Sequence, residues 1–221
     1  PLEKAQEHIR EEKLGGKIAT RLGNGLAPLE PGETDTVIIA GMGGDLICKI
    51  LKAKPEFLIE GKEFILQPQS EWFKIRRLLK EYRYQIEKEW FLKEDGKYYV
   101  IIKAEPAWTQ PQRLKHQQPS IHEYIKEISD TQVNQAVSEK DMESIYEQYG
   151  KYLIETKNPV LKEYLEKEIV KKESIAADLK LSIKEMESEE LSGKERGNIA
   201  KRQRRYQEIQ KEIRDMRKAI G

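Results

Sequence analysis

Two kinds of hydrophobic pattern divide the chain near its middle. In the first half, the apolar run at residues 36–40 predicts a strand buried on both faces, and the next apolar residues recur at amphipathic-helix spacing. Further strands are predicted at 17–22, 63–67, 84–92 and 97–104, and helices at 2–13 and 70–79, the latter with Ser70 as its N-cap. The last two strands join through Glu94-Asp95-Gly96, a hairpin signal. The pattern therefore predicts an α/β fold that ends in an antiparallel pair.

The second half follows a helical repeat instead. Apolar residues recur at alternating spacings of three and four along two segments, interrupted by Lys172 and Arg202. The first segment is expected to begin at Asn158-Pro159, and a turn signal lies between the two at 188–193. This pattern predicts an antiparallel helical hairpin with a coiled-coil seam. The seam residues are Leu165, Ile169, Lys172, Ala176, Leu179, Ile183 and Met186 on one helix, and Ile199, Arg202, Tyr206, Ile209, Ile213, Met216 and Ile220 on the other.

A stretch rich in proline and glutamine separates the two patterns. We therefore predict an α/β domain at residues 1–105, a linker at 106–119 and a helical coiled-coil domain at 120–221.

Composition narrows the class of protein. The formal net charge of +1 argues neither for nor against nucleic acid as a partner, so any basic surface that binds nucleic acid must be local. Cys48 is the only cysteine and the three histidines are scattered, so no metal site is expected. No apolar run reaches the roughly 20 residues needed to span a bilayer. We expect a cytoplasmic protein with no membrane partner, and the oligomeric state stays open.

The glycines after residue 40 are the first candidate for chemistry. Gly41, Gly43 and Gly44 stand where the predicted strand ends and a helix begins. In open α/β sheets ligands bind at this end of the strands, and glycine lets a ligand approach the backbone closely. An ordinary tight turn without a ligand explains the glycines equally well.

Two basic clusters are candidates for RNA contact. One comprises Lys201, Arg202, Arg204 and Arg205 on the second helix of the predicted hairpin, and the other comprises Arg76 and Arg77. Either could contact phosphates, or could be a solvated helix face whose cations pair with nearby glutamates.

Three motifs together resemble one known family. They are Leu22-Gly23-Asn24-Gly25-Leu26, Ile39-Ala40-Gly41-Met42-Gly43-Gly44 and Leu66-Gln67-Pro68-Gln69. In this order, with the hairpin at 84–104, they resemble the bacterial tRNA (adenine-22-N1)-methyltransferases. The resemblance implies a Rossmann-like class I methyltransferase domain followed by an all-helical antiparallel coiled-coil domain. It also implies an enzyme that uses S-adenosyl-L-methionine to methylate adenine 22 of tRNA at N1.

The resemblance further implies roles for individual residues. Asn24 would contact the adenine of the cofactor, and Gly25 would allow close approach of the backbone. The residues expected to wall the cofactor are Ala40, Gly41, Met42 and Gly43. Gln67 and Pro68 would face the target base, extruded from the folded RNA, with the Gln67 amide reading its edge.

The chain departs from the family at its beginning. Family members carry, before the position of Pro1, a first strand with an Asp-Ile-Gly-Ser-Asp-His type loop and a second strand that ends near an acidic residue. These hold the methionine end and the ribose of the cofactor, and neither occurs in this sequence. We therefore expect a fragment of a complete enzyme that does not bind the cofactor normally. Asn24 stands where the family commonly has Asp, a tolerable change.

Other functions are weaker alternatives. The chain could be a non-catalytic RNA-binding or scaffold remnant of this fold, and the helical hairpin could serve dimerisation instead of RNA contact. A dinucleotide-binding dehydrogenase fits least, because Leu46 stands where the last glycine of Gly-x-Gly-x-x-Gly belongs.

Overall fold

The computed structural model of the chain describes residues 2–107, 137–187 and 193–221. The predictions for linker residues 108–119, for helix at 120–136 and for the turn at 188–192 lie outside the described residues. The elements are α1 Leu2–Glu11, β1 Thr36–Met42, α2 Gly44–Ala53, α3 Glu56–Ile59, β2 Glu63–Pro68, α4 Trp72–Glu81, β3 Tyr84–Glu94, β4 Lys97–Pro106, α5 Val137–Tyr149, α6 Lys151–Glu155, α7 Pro159–Glu187 and α8 Gly193–Ile220.

The four strands form one sheet in the order β1-β2-β4-β3. β1 and β2 pair in parallel, and β4 pairs antiparallel with both β2 and β3. The predicted strands from residue 36 onward and the predicted hairpin are therefore confirmed. The prediction that β1 is buried on both faces is wrong, because only Val37 and Ile39 are buried and no described element covers the face of Ile38. One face of the sheet packs against α2 and α4, where Phe64, Leu66, Ile75 and Ile102 have no exposed surface.

The predicted strand at 17–22 is wrong. These residues join no ladder, because local interactions fold the segment back on its neighbours. The Ile18 N–H donates to the Leu14 carbonyl, and the Arg21 guanidinium donates to both carboxylate oxygens of Glu33 at 2.6 and 2.7 Å. Within the described residues β1 is an edge strand, and Ile38 on its outer face is 66% exposed.

The helical hairpin forms as predicted. α7 and α8 pack along the predicted seam, in which Leu165, Ile169, Ile209 and Ile213 are buried. Lys172 stays in the seam by pairing with Glu212 across it. We refer to α7 and α8 together as the helical arm.

Four aromatic rings join the arm to residues 2–107, which we call the sheet domain. Tyr164 of α7 lies 5.6 Å from Trp72, 5.5 Å from Phe91 and 5.0 Å from Tyr98, measured between ring centroids. Contacts of this kind stabilise beyond the surface that they bury. The base of the arm is therefore packed directly against α4, β3 and β4.

Candidate active site

The end of β1 is shaped by a bulge at Gly41. Ala40 pairs with Gln67 and Met42 pairs with Pro68, so Gly41 is the extra residue. Its φ of +77° is a conformation that residues with a Cβ rarely adopt, and a Cβ at this position would meet nothing within 4 Å. The space beside Gly41 is therefore open to a ligand.

Gln67 supports this bulge from the neighbouring strand. Its Oε1 accepts a hydrogen bond from the Gly41 N–H at 2.8 Å. Its Nε2 is buried and has no partner among the described residues. A buried amide donor without a partner costs free energy, so this group is suited to an acceptor brought by a ligand.

Two loops are joined at the carboxyl end of the sheet. The Gln69 N–H donates to the Met42 carbonyl at 2.8 Å, and the Gly44 N–H donates to the Ser70 carbonyl at 3.0 Å. A Cβ at Gly44 would lie 2.7 Å from the carbonyl oxygens of Ser70 and Glu71. Gly44 is therefore needed for packing between the loops, whereas Gly41 borders open space.

The N-terminus of α2 already has a carboxylate. Glu71, in the left-handed region with φ of +53°, accepts from the Asp45 N–H at 3.2 Å. Lys74 binds Glu71 at 2.8 Å and Asp45 at 2.9 Å. Hydrogen bonds from Lys49 and Lys74 lower the pKa of Asp45 to about 2. The positive end of this helix is thus neutralised from within the protein and is a poor site for a phosphate.

Asn24 and Gly25 lie on a turn that packs against α2. Gly25 has φ of +58°, and a Cβ there would lie 2.8 Å from Ile50 Cγ2. Asn24 is exposed on this turn, and its carbonyl accepts from the Ala27 N–H at 3.1 Å. Its contact with a cofactor adenine stays a prediction.

Three expectations about individual residues need correction. Gln67 and Pro68 were both expected to face the target base. Pro68 instead lies in the buried row of β2 with Phe64 and Leu66, so its ring does not face the open side of the turn. Ser70 is not the N-cap of α4, because Glu71 holds that position. Arg76 is only 4% exposed and forms an ion pair with Glu89 at 2.7 Å, so it is not available to an RNA phosphate.

The other predicted RNA contacts lie at the surface. Arg77 is exposed and pairs with Glu147 at 3.1 Å. On α8, Arg205 pairs with Glu208 and Glu212, each at 3.2 Å. Arg202 hydrogen-bonds to Ser182 of α7. Lys201 and Arg204 are exposed and have no ion pair among the described residues. The four cations of residues 201–205 thus lie on one stretch of the arm, whereas Arg77 lies on α4, which follows the turn at residues 41–44 and its partner loop; we call the turn at 41–44 the glycine turn.

Acidic residues gather at one further place. Carboxylates of Glu63, Glu87 and Glu105 lie within 4.8 Å of one another, close enough to share a cation. Lys103 Nζ already lies 2.6 to 3.3 Å from all three, and it lowers the pKa of Glu63 and Glu87. The lysine therefore supplies the positive charge that these carboxylates need.

The sequence interpretation missed two groups of residues. The network of Glu71, Lys74 and Asp45 was not foreseen, since no pattern links a loop glutamate to a helix that begins 27 residues earlier. The pairing of Arg76 with Glu89 was also missed, because Glu89 ends the polar run at 87–89 and only the irregular register between Ile86 and Lys88 places it on the buried face.

Comparisons with known proteins decide the family. The family model for tRNA (adenine(22)-N(1))-methyltransferase matches residues 1–148. The chain belongs to this family. A curated tRNA (adenine(22)-N(1))-methyltransferase of Bacillus subtilis is 32% identical over an alignment of 166 positions, which covers 61% of this chain and 68% of that protein. The predicted enzyme class is thereby confirmed.

Solved structures confirm the Rossmann-like fold. The crystal structure of the B. subtilis m1A22 tRNA methyltransferase superposes with a TM-score of 0.65 at 24% identity, covering all of this chain and 78% of that one. A Streptococcus pneumoniae protein solved in complex with S-adenosyl-L-methionine gives 0.63 at 23% identity, covering 98% and 75%. A Mycoplasma capricolum relative in complex with S-adenosyl-homocysteine gives 0.62 at 22% identity, covering 100% and 76%.

Among the described residues, no helix is long and apolar enough to cross a membrane.

Proposed function

We propose that this chain methylates N1 of adenine 22 in tRNA with S-adenosyl-L-methionine as cofactor, and that the turn at Gly41 is the reacting site. Family membership supports the reaction. The observation that carries the site is the open space beside Gly41, next to the unpaired Gln67 amide donor.

The glycine turn suits this cofactor better than a dinucleotide. A dinucleotide places its pyrophosphate on the N-terminus of the helix after the turn. Here Glu71 occupies that N-terminus, and Gly44 is packed against the loop at 70–71. S-adenosyl-L-methionine carries no phosphate and, when bound, supplies a methyl group on a sulfonium. Ala40, Gly41, Met42 and Gly43 would wall it, with Asn24 and Gly25 toward its adenine.

The chain needs no strong base for this chemistry. Adenine N1 has its own lone pair, so the protein has to position the base and exclude water. The Gly41 N–H occupies one lone pair of the Gln67 carbonyl, whereas both hydrogens of the Gln67 amide are without a partner among the described residues. Gln67 therefore offers a ligand chiefly a donor, which would bind a ring nitrogen of the base or an oxygen of the cofactor. Pro68 contributes through backbone position only.

Exposed cations of the arm and of α4 would hold the tRNA backbone. The candidates are Lys201, Arg202, Arg204 and Arg205 on the arm and Arg77 on α4. Charge reversal at Arg204 and Arg205 separates RNA contact from dimerisation. Weaker tRNA affinity at unchanged molecular mass supports RNA contact, and altered mass supports assembly. We place the reaction in the cytoplasm, where tRNA is modified.

Calorimetric titration with S-adenosyl-L-methionine tests the site. Gly41→Val should weaken binding at least tenfold, because valine is strained at this φ and fills the open space. Gly16→Ala is the control, since a Cβ there meets nothing within 4 Å and the residue lies outside the turn. Because we expect weak binding without the family's first cofactor loop, the comparison is also made in a version that carries this loop. Equal binding by Gly41→Val and its parent in that version would refute this site.

Methylation assays test the reaction itself. Mass spectrometry of a tRNA transcript should detect one added methyl group, lost when adenine 22 is replaced by guanine. Retained tRNA binding without methylation by the extended version would favour the non-catalytic alternative.

A further inference from the structure

A buried ion pair lies where the sheet domain meets the helices that lead to the arm. Arg76 of α4 donates from Nε to Glu89 Oε1 of β3 at 2.7 Å, and the two residues are 4% and 2% exposed. α4 begins directly after the loop that is bonded to the glycine turn. Arg76 is therefore connected to the candidate active site through one short helix.

The same arginine also binds the end of α5. Arg76 Nη1 donates to the carbonyl of Glu147 at 3.0 Å and to the carbonyl of Gln148 at 2.9 Å. Carbonyls in the last turn of a helix have no partner within the helix, and a cation is favourable there. One guanidinium thus ties α5 to both α4 and β3.

Because Gly150 has no Cβ, the backbone at this position can lie directly against the ion pair. Gly150 links α5 to α6 with φ of +92°, and a Cβ at this position would lie 2.4 Å from Glu89 Oε2 and 2.9 Å from Arg76 Nη2. Any other residue would push the corner away from the ion pair. Beyond this corner the chain continues through α6 into α7, so the corner sets where the arm starts.

We infer that Arg76 and Glu89 form a joint that sets the direction of the arm, and that both are positioning residues for tRNA. This inference rests on the proposed function, in which the arm holds tRNA while Gly41 borders the cofactor and Gln67 faces the base. α7 has 29 residues and is about 44 Å long, so a rotation of about 10° at its base would move its tip by about 8 Å. Such a displacement exceeds the reach of a phosphate contact.

The polar character of the joint argues for a role in geometry. A buried ion pair is seldom more stabilising than apolar residues of similar volume. Its directional hydrogen bonds, however, allow one arrangement of α4, β3 and α5, whereas an apolar contact tolerates small shifts.

Distance measurements between two spin labels test the joint. The labels are placed at Glu94→Cys, on the exposed β3–β4 hairpin, and at Gln207→Cys, on the exposed side of α8, with Cys48→Ser removing the native thiol. The parent should give one narrow distance distribution. Replacing the pair by Arg76→Met with Glu89→Met should broaden it, weaken tRNA affinity about tenfold and leave S-adenosyl-L-methionine affinity unchanged.

Two further variants keep the result unambiguous. Arg77→Gln removes the neighbouring arginine, whose pair with Glu147 is exposed, and should leave the distances narrow. Gly150→Ala shifts the corner without removing a charge, and should broaden them even if the double variant does not fold. Unchanged distances in Gly150→Ala and the double variant, or broadened distances with unchanged tRNA affinity, would overturn the inference. Absence of methylation by the version that carries the first cofactor loop would instead count against the proposed function, and the distances would still report on the joint.

Discussion

The sheet domain and the helical arm differ in how their side chains are used. In the sheet domain, Phe57, Phe64 and Leu66 are fully enclosed, and even two charged residues are buried. In the arm, burial follows one seam and the contact at its base, and many charged residues form exposed pairs such as Arg217 with Glu173. Close packing makes a site intolerant of small changes, whereas an exposed helix face tolerates them. The two regions should therefore respond differently to the same substitution.

The largest difference is expected between two adjacent arginines. Arg76→Gln should lower the free energy of unfolding by about 3–5 kcal/mol, because it leaves the Glu89 carboxylate buried without its partner. Arg77→Gln removes an exposed pair and should cost less than about 1 kcal/mol. Urea unfolding followed by circular dichroism measures both. Equal losses would show that burial does not distinguish these positions.

Glycine to alanine substitutions should have opposite signs in the two regions. Gly44→Ala should destabilise by about 1–3 kcal/mol, since its Cβ would lie 2.7 Å from two carbonyl oxygens. Gly197→Ala, inside α8 with nothing within 4 Å, should stabilise by about 0.5–1 kcal/mol because alanine favours helix. Thermal unfolding reports the sign of each change, and two changes of the same sign would contradict the contrast.

The smallest expected effect is a pH dependence at the start of α2. The pKa of Asp45 is lowered to about 2, so the carboxylate contributes stability above its ordinary pKa of about 4. That contribution should be lost as the pH falls from about 4 to about 2. The difference in melting temperature between the parent and Asp45→Asn should shrink over this interval. A constant difference would mean that Lys49 and Lys74 do not stabilise the charged form.

The sequence predicted the strands and helices whose hydrophobic residues recur at a regular spacing. The run at 36–40 became β1, and the alternation of three and four became the seam between α7 and α8. The sequence did not predict which side chains pair with one another, because these contacts depend on the folded arrangement. Residues 17–22 have a strand-like pattern, but Arg21 binds Glu33 and the segment folds locally.

The candidate site was predictable to a similar extent. The strand-to-helix position located Gly41, but it could not separate the open glycine from Gly44, which serves packing. A basic helix position also does not reveal whether a carboxylate faces it. Arg76 and Arg77 look alike in sequence, and only the pairing of α4 with β3 and α5 separates them.

The aromatic contact at the base of the arm gives the protein an optical signal of its own. Trp72 packs edge-on against Phe91 and also touches Tyr164 of α7, so its indole senses whether the arm is docked. The sequence contains two other tryptophans, Trp90 and Trp108. With both replaced by phenylalanine, the emission of Trp72 would shift to longer wavelength if the arm separated and water reached the ring. Docking of the arm could then be followed on the millisecond scale without an added dye.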